Sequence, residues 1–173
     1  MTAKRVVGFI PSKLNSQRLP RKNVKPLAGV PLVNYALRTL NAVPDIAESV
    51  IFSSEREIER FIRPGLRYTF LQRPAWLDSD AAKVQDFVGE FIKAAGADIV
   101  VLLHITSPFI RPETVADCLG QVLSGRHQSA FAALEMRRFA WFEGRPLNYS
   151  WDRPTPRTQD LPPVLFEQSG LYV

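Results

Sequence analysis

Short apolar runs of β-branched and aromatic residues alternate with helix-periodic stretches along the first 136 residues, and this alternation limits the chain to few folds. Residues 5–10 (Arg-Val-Val-Gly-Phe-Ile) read as a buried strand, residues 49–53 as a second and residues 68–72 as a short third. Residues 98–105 contain Ile-Val-Val-Leu-Leu, the most apolar stretch and the expected central strand, and residues 129–136 give a further one. Between them, Pro31 fits the first turn of a helix running to about Ala42, and residues 55–61 a short helix stopped by Pro64 and Gly65. Residues 82–95 place Val84, Phe87, Val88, Phe91 and Ile92 at three- and four-residue spacing. Residues 112–124 direct Val115, Cys118, Leu119 and Val122 to a core. Strand–helix alternation at this spacing implies right-handed crossovers and a mostly parallel, three-layer α/β sheet with helices on both faces.

In such a sheet, ligands bind beyond the C-terminal strand ends. The loop after the first strand, residues 11–25, carries Lys13, Arg18, Arg21, Lys22 and Lys25, and the first carboxylate of the chain is Asp45. The first 44 residues hold eight cations and no anion, more than the whole net charge of +5 from 22 basic and 17 acidic residues. Charge confined to one loop suits a compact polyanion better than a long helix of phosphates, so nucleic acid is not expected as a partner. A triphosphate carries roughly four negative charges and needs cations and N–H donors to replace its water. Asn15 and Ser16 suit a turn presenting amides, while Lys13, Arg18 and Lys22 supply charge. Neither a Walker motif nor a dinucleotide fingerprint is present, and a solvated basic loop without a ligand is the competing reading.

Other features bound the classes. No apolar run approaches the ~20 residues that span a bilayer, so no membrane partner is expected. The single cysteine, Cys118, excludes an intramolecular disulfide and a cysteine-based zinc site, which makes the cytoplasm the expected compartment. After Met136 the alternation stops. Residues 137–163 are rich in proline and carry Trp141, Tyr149 and Trp151, reading as an irregular excursion, a hairpin or a partner-contacting segment. The expected organisation is an α/β core over 1–136, this excursion over 137–163 and a return strand over 164–173.

Four collinear blocks then resemble the cytidylyltransferases that activate acidic sugars, the CMP-sialic acid (acylneuraminate) synthetases and, more distantly, the CMP-Kdo synthetases. Ile10, Pro11, Asn15, Ser16, Leu19, Pro20, Lys22 and Asn23 match the N-terminal signature, followed by Lys25-Pro26-Leu27-Ala28-Gly29-Val30-Pro31-Leu32. Arg73-Pro74-Ala75-Trp76-Leu77-Asp78-Ser79-Asp80 and Leu102-Leu103-His104-Ile105-Thr106-Ser107-Pro108 are similar to the second and third blocks. Arg157-Thr158-Gln159-Asp160-Leu161-Pro162-Pro163 and residues 168–173 resemble the last. The resemblance implies a Rossmann-like nucleotidyltransferase fold of the nucleotide-diphospho-sugar transferase type. It also implies a homodimer, whose projecting segment corresponds to 137–163, and CTP and an acidic sugar as substrates.

By the same resemblance, Ser12, Lys13, Asn15, Ser16, Gln17, Arg18, Lys22, Asn23 and Arg73 are expected to bind nucleotide. Lys22 and Lys13 are expected to act in catalysis, and His104, Ser107, Arg157 and Gln168 to face the sugar. For single residues other readings stay open. Lys22 is equally a surface lysine, His104 a hydrogen-bonded structural histidine, Ser107 a turn former before Pro108, and Glu55 either the acid often found after strand two or a helix N-terminal residue. The chain departs from the pattern at Lys13 (family arginine), Gln17 (lysine), His104 (glutamine), Ile105 (proline) and Phe166 (arginine). These departures leave a Kdo-like sugar or a phosphorylated or phosphonate compound as alternative acceptors. Magnesium is expected from the family, yet its aspartate block is not in this sequence. The expectation is therefore a C-terminally incomplete chain with metal ligands unknown, or a non-catalytic nucleotide-binding relative.

Overall fold

The computed structural model describes residues 4–17, 19–79 and 81–173. The chain divides into two compact units, Met1–Ala130 with Ser169–Val173, and Phe131–Gln168. Its strands are β1 (Val6–Ser12), β2 (Pro26–Leu27), β3 (Val30–Pro31), β4 (Glu48–Ser53), β5 (Thr69–Gln72), β6 (Ile99–Leu103), β7 (Phe131–Met136), β8 (Trp141–Phe142), β9 (Arg145–Pro146) and β10 (Val164–Tyr172). The α-helices are α1 (Val33–Asn41), α2 (Val84–Ala95) and α3 (Pro112–Leu123), with 3-10 turns at Lys22–Val24, Arg56–Phe61, Ala75–Asp78 and Thr158–Asp160.

The main sheet has the hydrogen-bonded order β5-β4-β1-β6-β10-β7. β1 runs parallel to β4, from Val7 opposite Glu48 to Ser12 opposite Ser53, and parallel to β6, from Val6 opposite Ile99 to Phe9 opposite Leu102. β5 is parallel to β4, while β10 is antiparallel to β6 with Leu171 opposite Leu103. Four parallel strands therefore release their loops at one edge, which is where a ligand meets such a sheet.

β1 is flanked by strands on both sides and by helices on both faces, so it reads as a continuous apolar run rather than an alternating one. Phe9 points to the α2 face, where its ring stacks on Phe91 at 4.0 Å between centroids. Phe52 of β4 meets both rings edge-on, at 5.8 Å and 5.6 Å. Val7, Val50, Leu77 and Leu102 complete this cluster. The next residue, Gly8, faces α1, and a Cβ there would lie 2.8 Å from Leu40 Cδ1.

Several local features differ from the expectation. Pro31 is not the first helical residue. It pairs antiparallel with Pro26 in a two-residue hairpin whose turn, Ala28 and Gly29, has positive φ at both positions, and α1 starts at Val33. The stretch after β4 is a 3-10 helix, Arg56–Phe61. β6 stops at Leu103 because the His104 N–H donates to the Gly170 carbonyl of β10 at 2.9 Å and the chain turns, Ser107 N–H closing onto the His104 carbonyl at 3.0 Å. Cys118 is half-buried rather than core, the buried stripe of α3 being Val115, Leu119 and Val122. Burial and the neighbouring Asp117 carboxylate raise its thiol above the ordinary range. On α2, Val84 and Ile92 are exposed and line an apolar hollow of about 830 Å³ with Val88, Leu102 and Tyr172.

The second unit contains the β8–β9 hairpin, turned through Glu143 and Gly144 at positive φ. Asn148 fastens it, accepting from the Ala140 N–H at 3.1 Å and donating to the carbonyls of Arg138 and Pro162 at 2.8 Å and 3.0 Å. Phe139, Trp141, Phe142, Leu147 and Trp151 are exposed.

Phe91 is the α2 ring that meets both Phe9 and Phe52 of the sheet. Phe91→Ala is expected to lower stability by about 3–5 kcal/mol in urea unfolding, the range for deleting a fully buried aromatic ring. A loss below about 1 kcal/mol would contradict the packing described.

Candidate functional site

Beyond the parallel strand ends lies a cavity of about 380 Å³. β1 and its loop contribute Ser12, Lys13, Ser16, Lys22 and Asn23, the segment after β5 gives Arg73, Leu77 and Ser79, and the β6 loop gives His104, Ile105 and Thr106. No carboxylate is among the described lining residues.

The loop is held by its own polar groups. Asn23 is buried, and its Nδ2 donates to Ser12 Oγ at 3.0 Å and to the Lys13 carbonyl at 3.1 Å. The Glu55 carboxylate accepts the Leu14 N–H, and the Leu14 carbonyl accepts Ser16 N–H at 2.9 Å and Arg21 N–H at 3.2 Å. Glu55 stands after β4 at the N-terminal end of the Arg56–Phe61 turn, as the sequence suggested, but its carboxylate tethers the basic loop rather than capping the helix. Arg21 adopts a left-handed backbone (φ 56) at the entry to the Lys22–Val24 turn. Its guanidinium leaves the cavity side, pairing with Glu57 at 2.8 Å and lying over the Phe61 ring. That pairing holds the Glu57 carboxyl below its ordinary range. Lys13 and Lys22 remain at the cavity, while Arg18 and Asp80 lie outside the described residues.

Arg73 is 5% exposed and ion-paired through Nη2 with Asp78. Its Nε is buried and lacks a hydrogen-bond partner among the described residues. An unmet buried donor costs about 1–3 kcal/mol, more on a charged group, so an acceptor brought by a ligand would be favoured there. The Asp78 carboxylate also accepts Ser54 Oγ, and its carbonyl accepts Lys13 Nζ at 3.1 Å. One residue therefore links the ends of β1, β4 and β5.

His104 is half-buried in the cavity wall. Burial, and then the Lys22 ammonium, hold its imidazole below the usual histidine range, favouring the uncharged ring.

The remaining candidates lie elsewhere. Asn15 and Gln17 line a neighbouring hollow with Arg21, Glu55 and Glu57, whose carboxylates disfavour a polyanion. Ser107 packs against β10, where a Cβ on Gly170 would fall 2.3 Å from its Oγ. Arg157 and Gln168 belong to the second unit, in which Arg157 Nε pairs with Asp160 at 2.7 Å. Phe166 lies within β10 and is exposed. Among the described residues no three His, Cys, Asp or Glu side chains are grouped to hold a metal ion.

The family model described as cytidylyltransferase matches residues 7–154. The chain belongs to the cytidylyltransferase family. Every cavity residue, from Pro11 to Thr106, lies inside that match. The chain is 27% identical over 177 residues to N-acylneuraminate cytidylyltransferase B of Danio rerio, covering 95% of this chain but 40% of that protein. It is 26% identical to the pseudaminic acid cytidylyltransferase of Campylobacter jejuni, covering 95% of this chain and 75% of the relative. The solved structure of CMP:2-keto-3-deoxy-manno-octonic acid synthetase complexed with CTP superposes with a TM-score of 0.69 at 21% identity, over 97% of this chain and 73% of that one. At that identity the likeness shows the Rossmann-like nucleotidyltransferase fold. The chain spans about two fifths of the length of the Danio rerio relative.

Asp78 was not among the site residues read from the sequence. The available signal was chemical: an arginine after a strand, five residues before an acid in the same block, needs a counter-ion if buried. Asp78→Asn leaves Arg73 a buried cation without a compensating charge. Because Asp78 is 28% exposed, the expected cost in thermal or urea unfolding is about 3 kcal/mol, the lower end for a broken buried pair. A loss under about 1 kcal/mol would remove the pair from the architecture of the site.

Proposed function

We propose that this protein is a CTP-dependent cytidylyltransferase that transfers CMP to a hydroxyl of an acidic sugar of the sialic acid class and releases pyrophosphate. The observation that carries this reading is the buried Arg73 Nε without an acceptor among the described residues, in a cavity whose other described charges are Lys13 and Lys22. A cytosine ring brings carbonyl and ring-nitrogen acceptors for the guanidinium. The lysines oppose the triphosphate charge, and Ser12, Ser16 and Asn23 add polar partners at the loop. In-line attack of the sugar hydroxyl on the α-phosphorus asks the protein for alignment and for stabilisation of developing charge, which Lys22 supplies. Asn15 and Gln17 belong to the same loop but line the neighbouring hollow, and Arg18 is part of the loop in sequence.

On the acceptor side the reading assigns His104, Ser107, Arg157 and Gln168. The names of the relatives support an acidic sugar. A Kdo-like acceptor is the second reading, favoured by Gln17-Arg18-Leu19-Pro20 in the loop and by Phe166 in place of an arginine. Magnesium bound with the triphosphate would neutralise phosphate charge. Among the described residues no cluster of His, Cys, Asp or Glu side chains is fit to hold it. The exposed aromatic side chains of the second unit support homodimer formation, and the single cysteine is compatible with a reducing compartment such as the cytoplasm.

The test is pyrophosphate release from CTP with N-acetylneuraminate or 3-deoxy-manno-octulosonate as acceptor. Arg73→Ala is expected to weaken CTP binding about 10- to 100-fold, one charged hydrogen bond, and Lys22→Ala to lower kcat about 10²- to 10³-fold. CTP binding without turnover would favour a non-catalytic relative, and absence of CTP binding would overturn the reading. A separate measurement, the mass of the protein in solution, is expected to give a dimer; a monomer at micromolar concentration would remove the second unit from assembly.

A further inference from the structure

Resting on the cytidylyltransferase reading, one question concerns the proton of the attacking hydroxyl. As the sugar oxygen bonds to the α-phosphorus, its O–H must break and the proton needs a destination near neutral pH. The described lining side chains are cations (Lys13, Lys22, Arg73), hydroxyls, an amide, apolar groups and one imidazole. Lysine and arginine in their charged forms offer no lone pair, hydroxyls and amides are poor bases, and no aspartate or glutamate is present among them.

We propose that His104 is the general base of the transfer, taking the proton of the attacking hydroxyl. The hydroxyl oxygen forms its bond to the α-phosphorus while its proton passes to the unprotonated ring nitrogen of His104. The bond from the α-phosphorus to the bridging oxygen breaks, its electron pair leaving with pyrophosphate, and the imidazolium then gives its proton to water.

The geometry supports this role. His104 begins the loop at the C-terminal end of β6, and its backbone is fixed on both sides, by the Gly170 carbonyl at 2.9 Å and by the Ser107 N–H at 3.0 Å. The side chain faces the same cavity as Lys22, the residue assigned to the α-phosphate. Lys22 of the β1 loop is the charge that acts on it; the other charged residues of the described cavity lining are Lys13 and Arg73, the latter paired with Asp78, and β10 meets it through the Gly170 carbonyl. Burial and Lys22 shift the imidazole towards its unprotonated form, the form a base requires.

The experiment compares wild type with His104→Gln, which keeps a hydrogen-bond donor and acceptor but cannot take a proton. The probes are CTP with N-acetylneuraminate, 3-deoxy-manno-octulosonate or pseudaminate, read as pyrophosphate release from pH 5 to 9, beside direct CTP titration. For wild type, kcat/KM is expected to fall on the acid side with a midpoint below about 6.5, the ordinary histidine value. In His104→Gln, kcat is expected to drop about 10²-fold or more and the acid limb to vanish, with CTP affinity changed less than about threefold. A variant that keeps kcat within about threefold, or raises only KM, makes His104 a sugar contact and overturns the proposal.

Should the variant lose CTP binding through misfolding, the chain's two histidines allow a second measurement. His127 lines the apolar hollow beside α2, away from the catalytic cavity, so His127→Ala leaves one histidine to modify with diethyl pyrocarbonate. Inactivation slowed by CTP and reversed by hydroxylamine supports the base, and unaltered kcat after complete modification overturns it. If wild type binds no CTP or turns over none of the three sugars, the cytidylyltransferase reading itself fails and the proposal falls with it, an outcome visible before any variant is made.

Discussion

A guanidinium removed from water needs a counter-ion and partners for its donors, and the strand-end architecture of this protein is organised by that requirement at Arg73. Its charge is met by Asp78. Asp78 in turn takes the Ser54 hydroxyl on its carboxylate and the Lys13 ammonium on its carbonyl. The loops that follow β1, β4 and β5 are thereby joined through one acid. What remains is an Nε donor with no partner among the described residues, at the wall of a cavity whose described lining holds no carboxylate. Burial of a charged pair is seldom favourable by itself, so its retention at a cavity points to function.

The sheet explains why these side chains meet. β1 lies between β4 and β6, all three parallel, and the stacked Phe9 and Phe91 rings with Phe52 hold the α2 layer against them. Loops leaving one edge of a parallel sheet converge in space though they are far apart in sequence, as with Lys13 and Asp78, 65 residues apart. The cationic loop is shaped internally by Asn23 and tethered by Glu55. Its charge is then divided by backbone direction: at Arg21 the left-handed turn carries one cation away to Glu57 and leaves Lys13 and Lys22 facing the cavity.

Much of the fold was legible in the sequence, because strands buried on both faces and helices with an apolar stripe leave distinct periodicities. The hairpin ahead of α1 was not. Pro31 satisfies the preference for a first helical turn, but two positive-φ residues at Ala28 and Gly29 set a turn that pairs it with Pro26. Periodicity marked the centre of each helical stripe and missed its margins, hence the half-buried Cys118 and the exposed Val84 and Ile92. At the candidate site, composition picked out the loop, yet its residues divide between two hollows, Lys13 and Lys22 in one, Asn15 and Gln17 in the other, with Ser16 bordering both. The roles of Asp78 and Glu55 depend on contacts across 65 and 41 residues, which no local pattern records.

The central claim is that the cavity between the β1 loop, Arg73 and His104 holds cytidine triphosphate. Titrating CTP into the isotopically labelled protein and following backbone amide resonances tests it most directly. The account predicts saturable shifts concentrated at residues 12–23, Arg73 and residues 104–106. Absence of binding, or shifts concentrated instead in the apolar hollow beside α2, would contradict it.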